Sequence, residues 1–255
     1  MRNVSIDLLD DTPRPVVAIG TDYSHGHLLP RHTHRRAQLL YGATGVMQVS
    51  TQNGSWVVPP QRAVWIPAGT EHEVLMQGVS TRSLYIEPRR VDLGNRCQVI
   101  SVSPLMRHLL MAAVEIPLTY DETGRDGALI DLLLHEVALS THLPLHIPLP
   151  VEARLLKLCR AFLQQPNAHQ TPQHWADQLH ISLRTFNRLF RQQTGLSFSQ
   201  WRQRACVVLA LARLAVGTPV TRIALDLGYK SPAAFSTMFR RLLGQPPSVW
   251  LEGVK

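Results

Sequence analysis

The chain has 255 residues and lacks most of what would remove it from the ordinary globular class. It has three cysteines, Cys97, Cys159 and Cys206, odd in number and widely spaced, which excludes a disulfide framework and suits a reducing compartment. It lacks any apolar run near the ~18 residues of a membrane span; the longest stretch, 205–212, is broken by Arg213. The first residues, MRNVSIDLLDD, lack the apolar core of a secretion signal. These absences predict a cytoplasmic, soluble protein with no membrane partner. What is present, 45% hydrophobic and 17% charged residues, is the composition of folded domains, and the length allows two of them.

Acidic residues are scarce in one half only. Residues 1–150 hold 12 Arg/Lys and 14 Asp/Glu, whereas residues 151–255 hold 14 Arg/Lys and only 4 Asp/Glu, a net of +10. The second half thus has the charge of a nucleic-acid binder and the first does not. Between residues 15 and 100 the pattern is one of short apolar or alternating runs, at 16–19, 37–41, 46–49, 56–58, 63–66 and 83–86, with the hairpin signal Asn53-Gly54 among them. Such runs predict a sandwich or small barrel. After Pro104 the period becomes helical. Leu105, Leu109, Ala112 and Ile116 form one stripe, and Leu129, Leu132, Leu133 and Val137 a second. These two helices suit packing on the barrel, on a second copy of the chain, or on both.

From Val151 onward every signal is helical, with helices expected near 151–165, 173–180, 183–193, 198–216, 220–227, 232–243 and 247–252. Thr171-Pro172, Thr218-Pro219 and Ser231-Pro232 each place a capping residue before a proline, and Ser182 is a further N-cap. The predicted fold class is α+β in two domains: a β-barrel with two helices over 1–143, a proline-rich linker over 144–150, and an all-α domain over 151–255.

The all-α part contains a repeat. Phe186, Phe190, Gly195 and Trp201 recur 49 residues later as Phe235, Phe239, Gly244 and Trp250, while Ala176 and Leu179 recur 48 residues later as Ala224 and Leu227. Each copy, about 173–193 and 220–243, reads as a short helix, a turn and a second helix with apolar residues at i, i+3 and i+4. The opposite face of the second helix is then exposed. In the first copy it carries Arg184, Thr185, Asn187, Arg188 and Arg191; in the second, Lys230 in the turn, then Ala233, Ser236, Thr237, Arg240 and Arg241. Arg pairs bidentately with guanine and Asn with adenine in the major groove, so the first face suits base reading. The second, small and neutral at its start, suits thymine methyls and phosphates. A connecting helix over 198–216 would span ~29 Å at ~1.5 Å per residue, close to the ~34–36 Å of one turn of B-DNA.

The last ~100 residues resemble the AraC/XylS-type regulators. Residues 224–250, from Ala-Leu-Asp-Leu-Gly-Tyr-Lys-Ser-Pro to Trp250, follow that family's signature along their full length, and 182–195 fit its first copy. Trp250 stands where the family more often has Tyr. The resemblance implies that Arg184, Asn187 and Arg188 read bases and that Ala233, Ser236 and Thr237 read more weakly; in a DNA-binding regulator, Arg191, Arg202, Arg240 and Arg241 are expected to contact phosphates.

The first half holds a histidine group: His32-Thr-His34, Gln38 four residues on, and His72 after Pro67-Ala-Gly69. Two residues apart on a strand, His32 and His34 would face one side. Three imidazoles and an amide oxygen suit one divalent transition metal. Gly26, His32, His34, Gln38 and Gly45 resemble the first cupin motif, with Gln38 in place of Glu; Pro67, Gly69 and His72 resemble the second, where Gln61 stands in place of a common Gly. Such a cupin-like domain is the usual effector domain in regulators of this type. The histidines have three readings: a metal site, a metal-free polar effector pocket, or interior histidines satisfied by the barrel. His25 and His27 read as loop residues; Arg35 and Arg36 read as solvated surface in preference to the alternative, a face toward an anionic ligand.

The reading that unites these features is a ligand-responsive, sequence-specific DNA-binding transcription regulator and not an enzyme. Its partners would be double-stranded DNA, a small-molecule or metal effector, a second copy through 104–142, and RNA polymerase. The alternative is a cupin metalloenzyme, an oxygenase or isomerase, using His32, His34 and His72 with the helical half as an accessory.

Overall fold

The structure, a computed structural model, describes residues 12–252. Its strands are β1 (Val16–His32), β2 (Ala37–Gly42), β3 (Val46–Thr51), β4 (Gly54–Val58), β5 (Arg62–Ile66), β6 (His72–Ile86), β7 (Gln98–Ser101), β8 (His142–Leu143) and β9 (His146–Pro148). Its helices are α1 (Pro104–Ala113), α2 (Arg125–Ala138), α3 (Ala153–Gln164), α4 (Pro172–Gln178), α5 (Leu183–Thr194), α6 (Phe198–Ala215), α7 (Val220–Asp226), α8 (Pro232–Leu243) and α9 (Val249–Glu252). The chain divides into two compact units. One runs to Ser50 and resumes over Val58–Leu143; the other joins Thr51–Val57 to the chain from Pro144 onward.

The first unit is a nearly closed antiparallel barrel organised around β6. This strand pairs with β1 along its full length. Its other edge is shared, β2 pairing with Thr81–Ile86 and β3 with Glu73–Gln77. The chain turns between β2 and β3 opposite Gly78, where Gly45 has φ +66° and a Cβ would lie 2.2 Å from Gly78 O, so only glycine fits. Beyond β2 the order continues through β5, β7 and β8. Strands β1 and β6 are far longer than the runs 16–19 and 83–86 suggested, because their polar middle residues pair through backbone groups that carry no side-chain signature. His25 and His27 accordingly lie on β1 and not in a loop.

The helices α1 and α2 pack on one another and on this barrel, with Met106, Leu110, Ala113, Ile130, Leu133 and Val137 buried beside Leu39, Trp65, Leu84 and Ile100. Ser103 caps α1 by accepting from Met106 N. The buried faces are rotated from the predicted stripes. Leu105 and Leu132 are 48% and 44% exposed. Apolar residues surround most of α1, so its period did not single out one face.

The second unit is helical and also holds β4 and β9, paired antiparallel as a ribbon at the end of the sheet order. Part of the stretch expected to be a linker is therefore a strand. Thr171, Ser182 and Ser231 cap α4, α5 and α8 as expected, and Ser197 with Gln200 forms a capping box on α6. Thr218 does not cap α7; Pro219 holds the N-cap position and no side chain accepts there. Helices α5 and α8 both stop at a left-handed glycine, Gly195 at φ 72° and Gly244 at φ 77°. Trp175, 2% exposed, is ringed by Phe162, Phe186, Phe190, Phe198 and Trp201. Phe235 and Phe239 occupy the matching places in the second copy, with Tyr229 and Trp250 against them.

Candidate functional site

The two helix-turn-helix copies have one backbone plan. Helix α4 leads through a turn to α5, and α7 leads through a turn to α8. At the first turn His180 is left-handed (φ 55°), and at the matching position Gly228 is left-handed (φ 78°). The next residue then donates back in both copies, Ile181 N to Ala176 O at 3.1 Å and Tyr229 N to Ala224 O at 2.9 Å. Lys230 is the extra residue of the second turn and is exposed.

Burying Phe186 and Phe190 leaves Arg184, Asn187, Arg188 and Arg191 exposed on the other side of α5. No ion pair holds any of these three arginines among the described residues. Thr185 is half-buried, its hydroxyl 2.9 Å from that of Ser182 at the cap. On α8, Ala233 and Thr237 are exposed, Ser236 is half-buried, and Arg240 and Arg241 are exposed, the last donating to Gln203 Oε1 at 2.9 Å. Arg202 is partly committed within the fold: it donates to Gln170 O and lies 5.8 Å over the Phe198 ring. Beside α8 a cleft of about 220 Å³ is lined by Arg202, Lys230, His169, Tyr229, Ala234 and Met238, with no acidic side chain in its wall.

In the first unit, β1, β2 and β6 enclose a cavity of about 270 Å³. Pairing of His32 with His72 across β1 and β6 brings those residues together. His34 lies just beyond β1, and one ring nitrogen from each of the three histidines falls within 4.8 Å of the others. His32 Nδ1 is 2.6 Å from Pro30 O and His72 Nδ1 is 2.8 Å from Thr70 O. A carbonyl only accepts, so Nδ1 carries a proton in both rings, and in the neutral ring Nε2 keeps its lone pair. His72 Nε2 is buried and has no hydrogen-bond partner. Burial lowers the His72 pKa to about 4, helped by the two neighbouring imidazoles and opposed by the Thr70 carbonyl, so this ring is neutral at physiological pH. Gln38 is buried at the back: its Oε1 is 3.2 Å from His34 Nε2, and its Nε2 donates to Tyr85 OH at 3.1 Å.

The remaining wall is Ile19, Leu29, Leu40 and Val74 with Thr21, Tyr23 and Ser83. No Asp, Glu, Lys or Arg lines it. Thr21, Tyr23, Ser83 and Tyr85 were not singled out in the sequence; the run 83–86 was visible, but not which of its faces looks inward. Arg36 corrects an expectation. It is not solvated surface but 1% exposed, donating to Thr12 O and Arg14 O at 2.8 Å each and pairing with Glu87 at 3.2 Å. It ties down the chain before β1. Arg35 is exposed and pairs with the same Glu87 at 2.8 Å.

Comparison with known proteins agrees with this division. Residues 175–253 match the family described as a helix-turn-helix domain, and residues 14–138 the one described as an AraC-like ligand binding domain. The HTH-type transcriptional regulator NimR of Escherichia coli (strain K12) is 34% identical over 223 residues, covering 87% of this chain and 82% of that one. The HTH-type transcriptional activator RhaR of Cronobacter sakazakii is 30% identical over 197 residues, covering 71% and 65%. Among solved structures, ToxT from Vibrio cholerae O395 aligns over 94% of this chain and 98% of that one with 12% identity and a TM-score of 0.40. Among the described residues, no helix is long and apolar enough to cross a membrane.

Proposed function

We infer, because the chain belongs to the AraC family of HTH-type transcriptional regulators, that α5 is its main base-reading helix, α8 its weaker partner, and the barrel cavity the place where its effector binds. One observation carries the assignment of α5. Arg184, Asn187 and Arg188 stand exposed on the second helix of an HTH unit, the arginines without ion pairs, on a face that core packing does not use. Lys230, Arg240 and Arg241 and the cleft beside α8 then serve the phosphates that wall the groove. Arg191 joins them, and Arg202 does so only in part, being held by Gln170 O.

The cavity sets the chemistry of the effector. With no Asp, Glu, Lys or Arg in its wall, it favours an uncharged ligand, or a cation held by imidazole. The donor set of His32, His34 and His72, with the orphaned Nε2 of His72, fits one divalent transition metal; Gln38 orients His34, and its amide oxygen would be the fourth donor beside three nitrogens. A metal there would supply a charged anchor for a ligand that the wall alone would not attract. The chain acts by binding; no catalytic role is assigned to the histidines. The exposed leucines of α1 and α2 make a second copy the preferred partner of that face, and contact with RNA polymerase belongs to the same proposal.

The test of DNA reading is selection of host genomic fragments by the purified protein at ~150 mM salt, where salt sensitivity separates specific from weak binding. Enrichment of a few intergenic fragments is expected; recovery of none, with and without divalent metal, overturns the assignment. The metal is tested by thermal unfolding with zinc and nickel. Saturation at 100-fold excess over the dissociation constant stabilises by about 2.7 kcal/mol. His72→Ala should abolish that gain, and its persistence in the variant would place the metal elsewhere.

A further inference from the structure

The stretch that joins the two halves of the sequence is held by more than chain connectivity. In the second unit, β9 pairs with β4 as Gly54↔Pro148, Ser55↔Ile147 and Trp56↔His146. His146 stacks on Trp56, ring centroids 4.4 Å apart and 10° from parallel. A Cβ at Gly54 would lie 2.5 Å from His146 Nε2, so glycine is what admits that ring. Leu145 and Ile147 are buried at 0% and 2% exposure. This is a packed ribbon, not a slack tether.

The ribbon ends on the first HTH copy. Trp201 Nε1, near the start of α6, donates to Pro148 O at 2.7 Å, and the Trp201 ring is fully buried 5.8 Å from that of Phe190 on α5. Gln193 lies in the last turn of α5. Its Oε1 accepts from Val151 N at 2.9 Å and from Glu152 N at 3.3 Å, the two amides that follow the ribbon. Glu152 then caps α3 by accepting from Leu155 N at 2.7 Å. One side chain on α5 thus satisfies two backbone donors that would otherwise need water. Gln193 sits at the opposite end of α5 from Arg184, outside the base-reading face.

We propose that Gln193 and Trp201 are positioning residues that fix the pose of α5 against the β4–β9 ribbon, so that a strand drawn from the first half of the sequence sets how the first HTH copy meets DNA. Strand β4 continues in the chain into residues of the first unit on both sides, at Ser50 and Val58. A displacement of β4 therefore reaches α5 through one strand pairing and two side-chain contacts, and α8 receives it only second-hand. The proposal rests on α5 being a base-reading helix.

Its test uses the full-length protein with two variants. Gln193→Met keeps the length and removes the acceptor; Gln193→Glu keeps an acceptor oxygen at that position and is the conservative rescue. The first readout needs no DNA. Hydrogen exchange of the Val151 and Glu152 amides and of α5 should quicken about fivefold or more in Gln193→Met and stay near wild type in Gln193→Glu. The second readout uses a duplex recovered by genomic selection, with base changes placed in either half-site. Gln193→Met should lose about fivefold in discrimination at the half read by α5, keep it at the half read by α8, and keep its salt dependence. Unchanged exchange in Gln193→Met overturns the clamp whatever the DNA result. Equal loss at both half-sites, or no loss at either despite faster exchange, overturns the positioning role. If selection yields no duplex, the base-reading assignment fails on its own account, and exchange still decides whether Gln193 holds the ribbon.

Discussion

In the first HTH copy Trp175 touches five other aromatic rings; in the second, no tryptophan stands at the matching place and Phe235 and Phe239 are met by Tyr229 and Trp250 alone. The serine cap of the second helix, a left-handed residue in the turn and the terminal glycine recur in both, although α7 lacks the side-chain cap that Thr171 gives α4. Duplication has kept the backbone frame and let the two faces diverge. The first copy puts guanidinium and amide groups where bases would be, while the second puts small neutral groups there and cations at its margin. Equal folds need not divide a task equally. On the proposed assignment, one copy discriminates and the other anchors.

The two cores should separate most widely. Phe190→Ala, which strips contacts to Phe186, Phe198, Trp175 and Trp201, should cost near the upper end of ~3–5 kcal/mol, and Phe239→Ala near the lower end. Urea unfolding of the two variants measures this, and equal costs would erase the asymmetry. Next, Arg188→Ala should lose ~1–3 kcal/mol on the selected operator and blur one base position, whereas Thr237→Ala should lose under ~1 kcal/mol. Competition binding with single-base variants decides; an equal loss would make both faces readers.

A smaller contrast lies in the turns. Gly228→Ala forces a side chain into the left-handed region, at ~1–2 kcal/mol, with its Cβ 2.9 Å from Asn167 Oδ1. His180→Gly relieves the same conformation but adds freedom to the unfolded chain, so thermal unfolding should find it within ~0.5 kcal/mol of the parent. A strong destabilisation by His180→Gly would mean that the imidazole itself holds the turn. Smallest is Lys230→Gln. It should reduce the slope of log affinity against log salt by ~0.9 and leave base preference alone. An unchanged slope would remove Lys230 from the phosphate contacts.

The helical half was legible because its signals are local. Ser182 and Ser231 before amphipathic runs, glycines at 195 and 244, and aromatics displaced by 49 residues each act within a few turns of helix. The histidine group was legible too, since His32, His34 and Gln38 lie close in sequence. What escaped was long-range pairing. Tyr85 and Thr21 join the cavity only because β1 runs antiparallel to β6 over its whole length. Strand β9 escaped for a different reason. Pro144, Pro148 and Pro150 argue for a linker, and Pro148 fits a strand here only as its last residue. Arg36 was read as surface because nothing in the sequence shows that backbone carbonyls from residues 12 and 14 and the Glu87 carboxylate converge on it.

The insertion of residues 51–57 into the second compact unit bears on recombination. Two members of this family crossed over at residue 150 would exchange the helices and leave behind the strand on which they rest. The fused chain would then carry β4 and β9 from one parent against a Gln193 and a Trp201 from the other. A graft that moves 51–57 and 144–152 with the helices keeps those contacts intact, so the natural unit of exchange in this protein is two separate stretches of gene.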